Sequence, residues 1–260
     1  LPSDSRRARE ANAPFDRVAL RQALDRGLHA LGLPLDDATR DRLLDYLGLL
    51  SKWNAVYNLT AIREPDSMLV QHLLDSLAII GPLADQGPFT TVVDVGSGGG
   101  LPGIVLAIAW PQAIVHLVEP VGKKAAFLRQ CVLELALAHV KVHAQRVERL
   151  SYDEVQSADL IVCRAFASLR DFVSGIDALV GPKTVVAAMK GSLPAGEIAA
   201  LPAGWQVGQA VRLTVPGLDA QRHLLLLERA PAPAGPSDRS AGAAPANPAA
   251  PVAQPAAPEC

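Results

Sequence analysis

The sequence predicts an α/β fold: a doubly wound, seven-stranded, mostly parallel sheet entered through a helical N-terminal piece. Three observations predict it. Apolar residues recur three and four apart between residues 15 and 80, the spacing of amphipathic helices. From Thr90 onward, short apolar runs alternate with helical patterns, which implies right-handed crossovers and a sheet covered on both faces. The first of those runs ends in a glycine-rich loop, VVDVGSGGGLPG from Val92 to Gly103, at the end of a strand where such sheets bind their ligands.

The elements follow in order. FDRVALRQALDRGLHALGL carries a first helix, which Gly32 and Pro34 end. Leu43, Leu44, Leu47 and Leu50 give DDATRDRLLDYLGLLSKWNAVYNLTA the same helical spacing. Pro65, Asp66 and Ser67 are start signals for a helix through SMLVQHLLDSLAII. TVVDV is then a short buried strand and LPGIVLAIAW a helix. AIVHLVE is the second strand, and GKKAAFLRQCVLELAL a long amphipathic helix. VKVHAQ and DLIVCRA are the third and fourth strands, with the helix SLRDFVSGIDALV after the latter. TVVAAMK is the fifth. GWQVGQAVRLTV and QRHLLLLERA, joined through PGLD, suit a closing antiparallel pair. The expected organisation is a flexible N-terminus over 1–14, a helical extension over 15–89, the sheet domain over 90–229 and a disordered Ala/Pro-rich tail over 230–260. That tail has almost nothing large and apolar to bury.

Composition narrows the function. Half of the residues are apolar, 19% are charged and the net charge is −2, so a nucleic-acid partner must be met by a local basic patch. Cys131, Cys163 and Cys260 show no C-x-x-C spacing. Neither a disulfide framework nor a metal site is expected, and a reducing cytoplasm is the expected location. Cys131 and Cys163 sit in apolar stretches and read as core. LPSDSRRARE lacks the apolar core of a signal peptide, and no run of about 18 uninterrupted apolar residues suggests a membrane span. A monomer with no membrane partner is the default expectation.

The strand ends carry the chemistry. A phosphate-binding P-loop needs a lysine after its glycines, and this loop has none. A dinucleotide loop would use Gly96 and Gly98, but Leu101 stands where its third glycine belongs. Asp94 precedes the glycines and suits a ligand with a cationic end. S-adenosylmethionine has a sulfonium and an amino group there and no phosphate. Glu119 closes the second strand, where a carboxylate can accept from two ribose hydroxyls. Arg146, Val147 and Glu148 follow the third strand on the adenine side of the same crevice.

After the fourth strand, CRAFASL lacks the [DNS]-P-P-[FYW] turn common in enzymes that methylate exocyclic amines. A ring nitrogen such as guanine N7 has an in-plane lone pair and no proton to lose, so it needs in-line placement rather than a general base. Arg164 is suited to a methionine carboxylate or an RNA phosphate. Plain structural readings stand beside these: a tight glycine turn with an exposed Glu119, and an Arg164 paired with a nearby carboxylate.

KWNAVYNLT, HLLDSL, DVGSGGGLPGI, GKKAAFLRQ, RVE, CRAFASL and MKG, in this order over roughly residues 37–229, resemble the RsmG (GidB) family of 16S rRNA (guanine-N7) methyltransferases. The resemblance implies a class I, Rossmann-like methyltransferase domain with a helical N-terminal extension. It also implies S-adenosyl-L-methionine as cofactor and 16S rRNA or the small ribosomal subunit as partner. Its cofactor contacts fall on Gly96, Leu101, Val147, Glu148 and Arg164, beside Asp94, Gly98 and Glu119 from the strand ends, and Arg164 is the candidate catalytic residue. Some family members carry Asp in place of Glu119, which keeps the carboxylate.

Lys123, Lys124, Arg129, Arg146 and Lys190 are the candidate RNA contacts, extended by Lys52 and Arg63. A solvated helix face is the alternative for Lys123 and Lys124. Asn58 and His72 are expected to border the cleft, with a hydrogen-bonded structural histidine as the alternative for His72. Two other functions stay open. One is an NAD-dependent oxidoreductase, which Leu101 and Asp94 disfavour. The other is a catalytically silent RNA-binding or ribosome assembly factor, which the intact loop and Glu119 disfavour.

Overall fold

A computed structural model describes residues 15–155 and 158–230. The expectations for 1–14 and for the tail beyond Ala230 lie outside the described residues. The first helix, α1 (Arg17–Leu31), begins where Asp16 Oδ1 accepts the Val18 and Ala19 amides at 3.0 and 3.1 Å, and it ends at Gly32 with φ +68°. Helix α2 (Asp37–Tyr57) is capped by Asp36, whose Oδ1 accepts the Thr39 amide at 2.7 Å, and ends at Asn58 in the left-handed region. Leu20, Leu24 and Leu28 of α1 and Leu43, Leu44, Leu47 and Leu50 of α2 are fully buried. Burying each leucine contributes about 2 kcal/mol. The arginine–aspartate pairs of Arg17 and Arg21 with Asp41, Asp45 and Asp37 lie on the outside, where such pairs contribute little.

The next segment departs from the single helix that its start signals predict. It runs as α3 (Pro65–Met68), a π-helical turn (Leu69–Leu74), α4 (Asp75–Leu77) and α5 (Ile80–Ala84). In the π turn the Asp75 amide reaches the Val70 carbonyl five residues back, together with that of His72. Pro65–Ala84 has the length and hydropathy of a membrane-crossing helix, but here its large apolar side chains, Met68, Leu69, Leu73, Leu74 and Leu77 among them, form part of the protein core.

The sheet comprises β1 (Thr91–Val95), β2 (Ile114–Val118), β3 (Val140–His143), β4 (Leu160–Arg164), β5 (Val185–Lys190), β6 (Trp205–Leu213) and β7 (Arg222–Arg229). Helices α6 (Gly103–Ala109), α7 (Gly122–Glu134), α8 (Leu169–Ile176) and α9 (Ala195–Ala199) connect them. The spatial order is β3-β2-β1-β4-β5-β7-β6, parallel through β5 and antiparallel at β7 and β6. Strand order reverses between β1 and β4, so the crevice that binds ligands in such sheets opens where their C-terminal ends part.

Successive strand residues point to opposite faces, and the core divides accordingly. Val92, Val115, Leu117, Leu160 and Val162 share one apolar layer with α1, α2 and the π segment. Val93, Val95, Val118, Ile161 and Cys163 share the other with α8. The helical extension is therefore the cover of one sheet face. Buried Tyr46 of α2 extends this to the loop after β1, where its hydroxyl donates to the Gly99 carbonyl.

Candidate active site

The loop after β1 is shaped by side chains beneath it. Asp94, at the fourth position of β1, is fully buried, and its Oδ2 accepts the Gly103 amide at 2.9 Å at the start of α6. A Cβ at Gly103 would collide with Leu117 and with this carboxylate, so only glycine allows the contact. The sequence reading gives Asp94 to the cationic end of a ligand. The structure gives its carboxylate to the loop instead, because a side chain in mid-strand of a doubly covered sheet points into a core layer. Its Oδ1 has no partner, and burial pushes the carboxyl up to about 7.

This yields a signed pH prediction. The folded value lies above the unfolded one, so the stability contributed by Asp94 is present below about pH 4 and lost as pH rises through about 7. Asp94→Asn retains an oxygen for the Gly103 amide. It is expected to remove that loss, gaining on the order of a few kcal/mol over wild type at pH 8 relative to pH 4. Denaturant midpoints of both proteins across this range test it; parallel pH profiles would mean that the carboxyl is not held protonated.

Gly96, at φ +73°, is half-buried at the start of the loop, and a Cβ there would lie 3.5 Å from the Phe166 ring. Opposite it, Glu119 ends β2 with Oε2 accepting the Gly98 amide and Oε1 the Val121 amide, each at 2.8 Å. Each oxygen keeps a second lone pair, so a carboxylate held in this way can still accept from a diol. Gly96, Glu119, Lys124, Arg146, Val147, Glu148, Arg164 and Phe166 line one cleft of about 310 Å³ at the strand-order switch.

The other sequence candidates lie outside that lining. Gly98 is tied to Glu119 behind it, and the Leu101 side chain is buried in the core at 5% exposure. Lys123 and Arg129 are exposed on α7. Lys190 differs from the rim residue expected: its side chain is only 11% exposed, with Nζ 2.8 Å from Glu197 Oε2. Lys52 is exposed on α2, and Arg63 donates to Asn58 Oδ1 at 2.7 Å.

Arg164 anchors the far wall. Its Nη1 donates to the Gln71 carbonyl at 2.9 Å and to Asp75 Oδ2 at 3.0 Å, while Arg222 Nε donates to Asp75 Oδ1 at 2.9 Å. The π turn assists this arrangement: the Asp75 amide is directed to Val70 and His72, and Gln71 offers its carbonyl to Arg164. His72 is buried against Thr60 Oγ1 at 2.9 Å. Burial, then the neighbouring Arg164 charge, lowers its pKa to about 4, so it is a neutral, hydrogen-bonded histidine at neutral pH.

Sequence reasoning missed Asp75, Arg222 and Phe166 as site residues. The available signal for Asp75 was one acid inside the apolar run HLLDSL. Arg222 gave none, because its partner is 147 residues away in sequence. Cys131 and Cys163 are buried, which pushes both thiols above their ordinary range and removes them as nucleophiles. Among the described residues, no cluster of three or more His, Cys, Asp or Glu side chains is arranged to hold a metal ion.

The donor set can be tested against S-adenosylmethionine. A glycine without a side chain faces an aromatic ring, an anchored carboxylate follows β2 and the glycine loop itself carries no lysine for a phosphate. These features fit a ribose-bearing, phosphate-free ligand. Ribosomal RNA small subunit methyltransferase G of Burkholderia thailandensis is 52% identical over 85% of this chain and 97% of its own length. The protein of the same name from Burkholderia pseudomallei is 52% identical over 82% of this chain and 92% of its own. Among solved structures, TrmN from Thermus thermophilus is similar with a TM-score of 0.46 and 21% identity, over 62% of this chain and 53% of that one. The profile of the family described as GidB, rRNA small subunit methyltransferase G, matches residues 39–225, and the chain belongs to that family.

Proposed function

We propose that this protein transfers a methyl group from S-adenosylmethionine to N7 of a guanine in 16S rRNA. The observation that carries the reading is the cleft at the strand-order switch, where Gly96, Glu119 and Val147 converge within the span matched by the family. When bound, S-adenosylmethionine supplies a methyl group made electrophilic by its sulfonium. Gly96 lets the backbone approach the methionine end, Glu119 accepts from the ribose, and Val147 with Glu148 borders the adenine. Arg164, held by Asp75 and Gln71, presents a fixed positive charge to the methionine carboxylate or to an RNA phosphate.

Guanine N7 carries no proton, so no side chain needs to act as a base. The protein's part is to place the nucleophile in line and to exclude water. Lys124 and Arg146 on the cleft wall and Lys123 and Arg129 on α7 supply the phosphate contacts that overall composition does not. The reading places the protein in the cytoplasm, where ribosomes are assembled.

Two measurements test it. Calorimetry is expected to show S-adenosylmethionine binding and no NAD binding. Mass mapping of 16S rRNA from a strain lacking the protein is expected to show one missing N7-methylguanine. NAD binding alone, or an unchanged modification map, would defeat the reading.

A further inference from the structure

A second cavity, also of about 310 Å³, adjoins the cofactor cleft and is lined by Asp75, Arg164, Ala165, Met189, Lys190 and Arg222. Arg164 and Ala165 belong to both linings, so the two spaces share a wall. Ala165 sits there at φ +55°, a conformation that a residue with a Cβ adopts at a cost and that concentrates at functional sites.

The polar chemistry of this cavity is one-sided. Asp75 is its carboxylate, 4% exposed, and each of its oxygens already accepts from a guanidinium. The Gly191 carbonyl at the same cavity faces His223 Nδ1 at 2.6 Å. The donors are less fully used. Arg222 places Nε on Asp75 and Nη1 on the Gln221 carbonyl, and its Nη2 has no partner among the described residues. Lys190 is a second cation in the wall, its Nζ already on Glu197 Oε2 at 2.8 Å, and guanidinium and ammonium groups can only donate.

Purines differ at the edge that carries N7. Guanine sets the O6 acceptor beside N7, and adenine sets an amino donor there. Arg222 Nη2 can donate to the first, whereas the second turns its own amino donor toward this cationic, donor-only group. Met189 adds an apolar surface for the ring.

We propose that this cavity receives the target base by its N7 edge, and that Arg222 selects guanine by donating to O6. The proposal rests on the methyltransferase reading above and names the substrate pocket of the same site. Arg222 is the specificity-determining residue in it, and Asp75 is the positioning residue that holds both guanidiniums.

The test uses the full chain with its cofactor cleft filled by S-adenosylhomocysteine, titrated with guanosine, inosine and adenosine and followed by NMR. Inosine shares O6 and N7 with guanosine and lacks only the 2-amino group. Wild type is expected to bind guanosine and inosine in preference to adenosine. Arg222→Gln is expected to weaken guanosine binding by about 10- to 100-fold and to bring the guanosine-to-adenosine ratio close to one. Arg222→Lys, which keeps a cation that can only donate where glutamine adds an acceptor, is expected to restore part of the preference.

Methyl transfer to small subunits from a strain lacking the protein is measured alongside, with melting curves for each variant. Arg222→Gln is expected to lower transfer by the same factor with S-adenosylmethionine affinity unchanged. Wild-type guanosine preference in Arg222→Gln, or weakened binding of all three nucleosides with the ratio kept, would overturn the proposal and leave the proposed function standing. A wild-type protein that binds S-adenosylmethionine but does not methylate the subunit would overturn the reading beneath it.

Discussion

Replacing Gly96 by valine is expected to abolish measurable S-adenosylmethionine binding, a loss of at least about 100-fold. Two effects add. Gly96 sits at φ +73°, where a β-branched residue is a genuine conformational outlier. Forcing valine into that region costs on the order of 1–3 kcal/mol. Its Cβ would stand 3.5 Å from the Phe166 ring, and the side chain would be added to the lining of the cleft that Gly96 now leaves open. The strain acts on stability and the filled cleft acts on binding, so the two are measured separately. Denaturant unfolding is expected to show a modest loss, while calorimetry shows no heat of binding. A folded variant with wild-type affinity would move the cofactor away from this loop.

Asp75→Ala carries the largest expected cost to stability. One buried carboxylate compensates Arg164 on one oxygen and Arg222 on the other. Its removal leaves two guanidiniums facing each other without their counter-ion. Breaking a buried pair typically costs about 3–5 kcal/mol. The arginine side chains keep 20% and 24% exposure, so water recovers part of this and the low end, about 3 kcal/mol, is expected. For a chain of this size that lowers the melting temperature by roughly 6–12 °C. Methyl transfer is expected to fall as well, because Arg164 loses one of the groups that orient it. The double variant Asp75→Ala/Arg222→Leu supplies the control, since removing one stranded cation is expected to return part of the stability. A single variant as stable as wild type would show that the three-residue pairing contributes nothing.

The parts of the site that were legible in the sequence are those made by neighbours along the chain. Gly96 and Glu119 each follow directly on a strand whose apolar run is readable, and strand ends in an alternating fold face one crevice. Asp94 shows the limit of that reasoning. It adjoins the same loop, yet strand alternation turns its side chain inward, and its carboxylate meets the Gly103 amide rather than a ligand. Lys190 shows it again: a lysine at a strand end reads as a surface charge, and only the docking of α9 supplies Glu197 against it. The π turn was equally hidden, because its start signals and apolar spacing are those of an ordinary helix.

By itself, then, the amino-acid sequence determined the order of the seven strands and of the longer helices, the glycine loop with no lysine in it, and the acid that follows β2. These follow from backbone preferences and apolar periodicity, which act over a few residues. Only the tertiary structure decided that Asp75 of the helical extension holds Arg164 of β4 and Arg222 of β7 on one carboxylate, and that a second cavity lies beside the cleft at the strand-order switch. The partners there are 89 and 147 residues apart in sequence. Burial joins them, because a charge taken from water must find its counter-charge wherever packing brings one, at whatever distance along the chain.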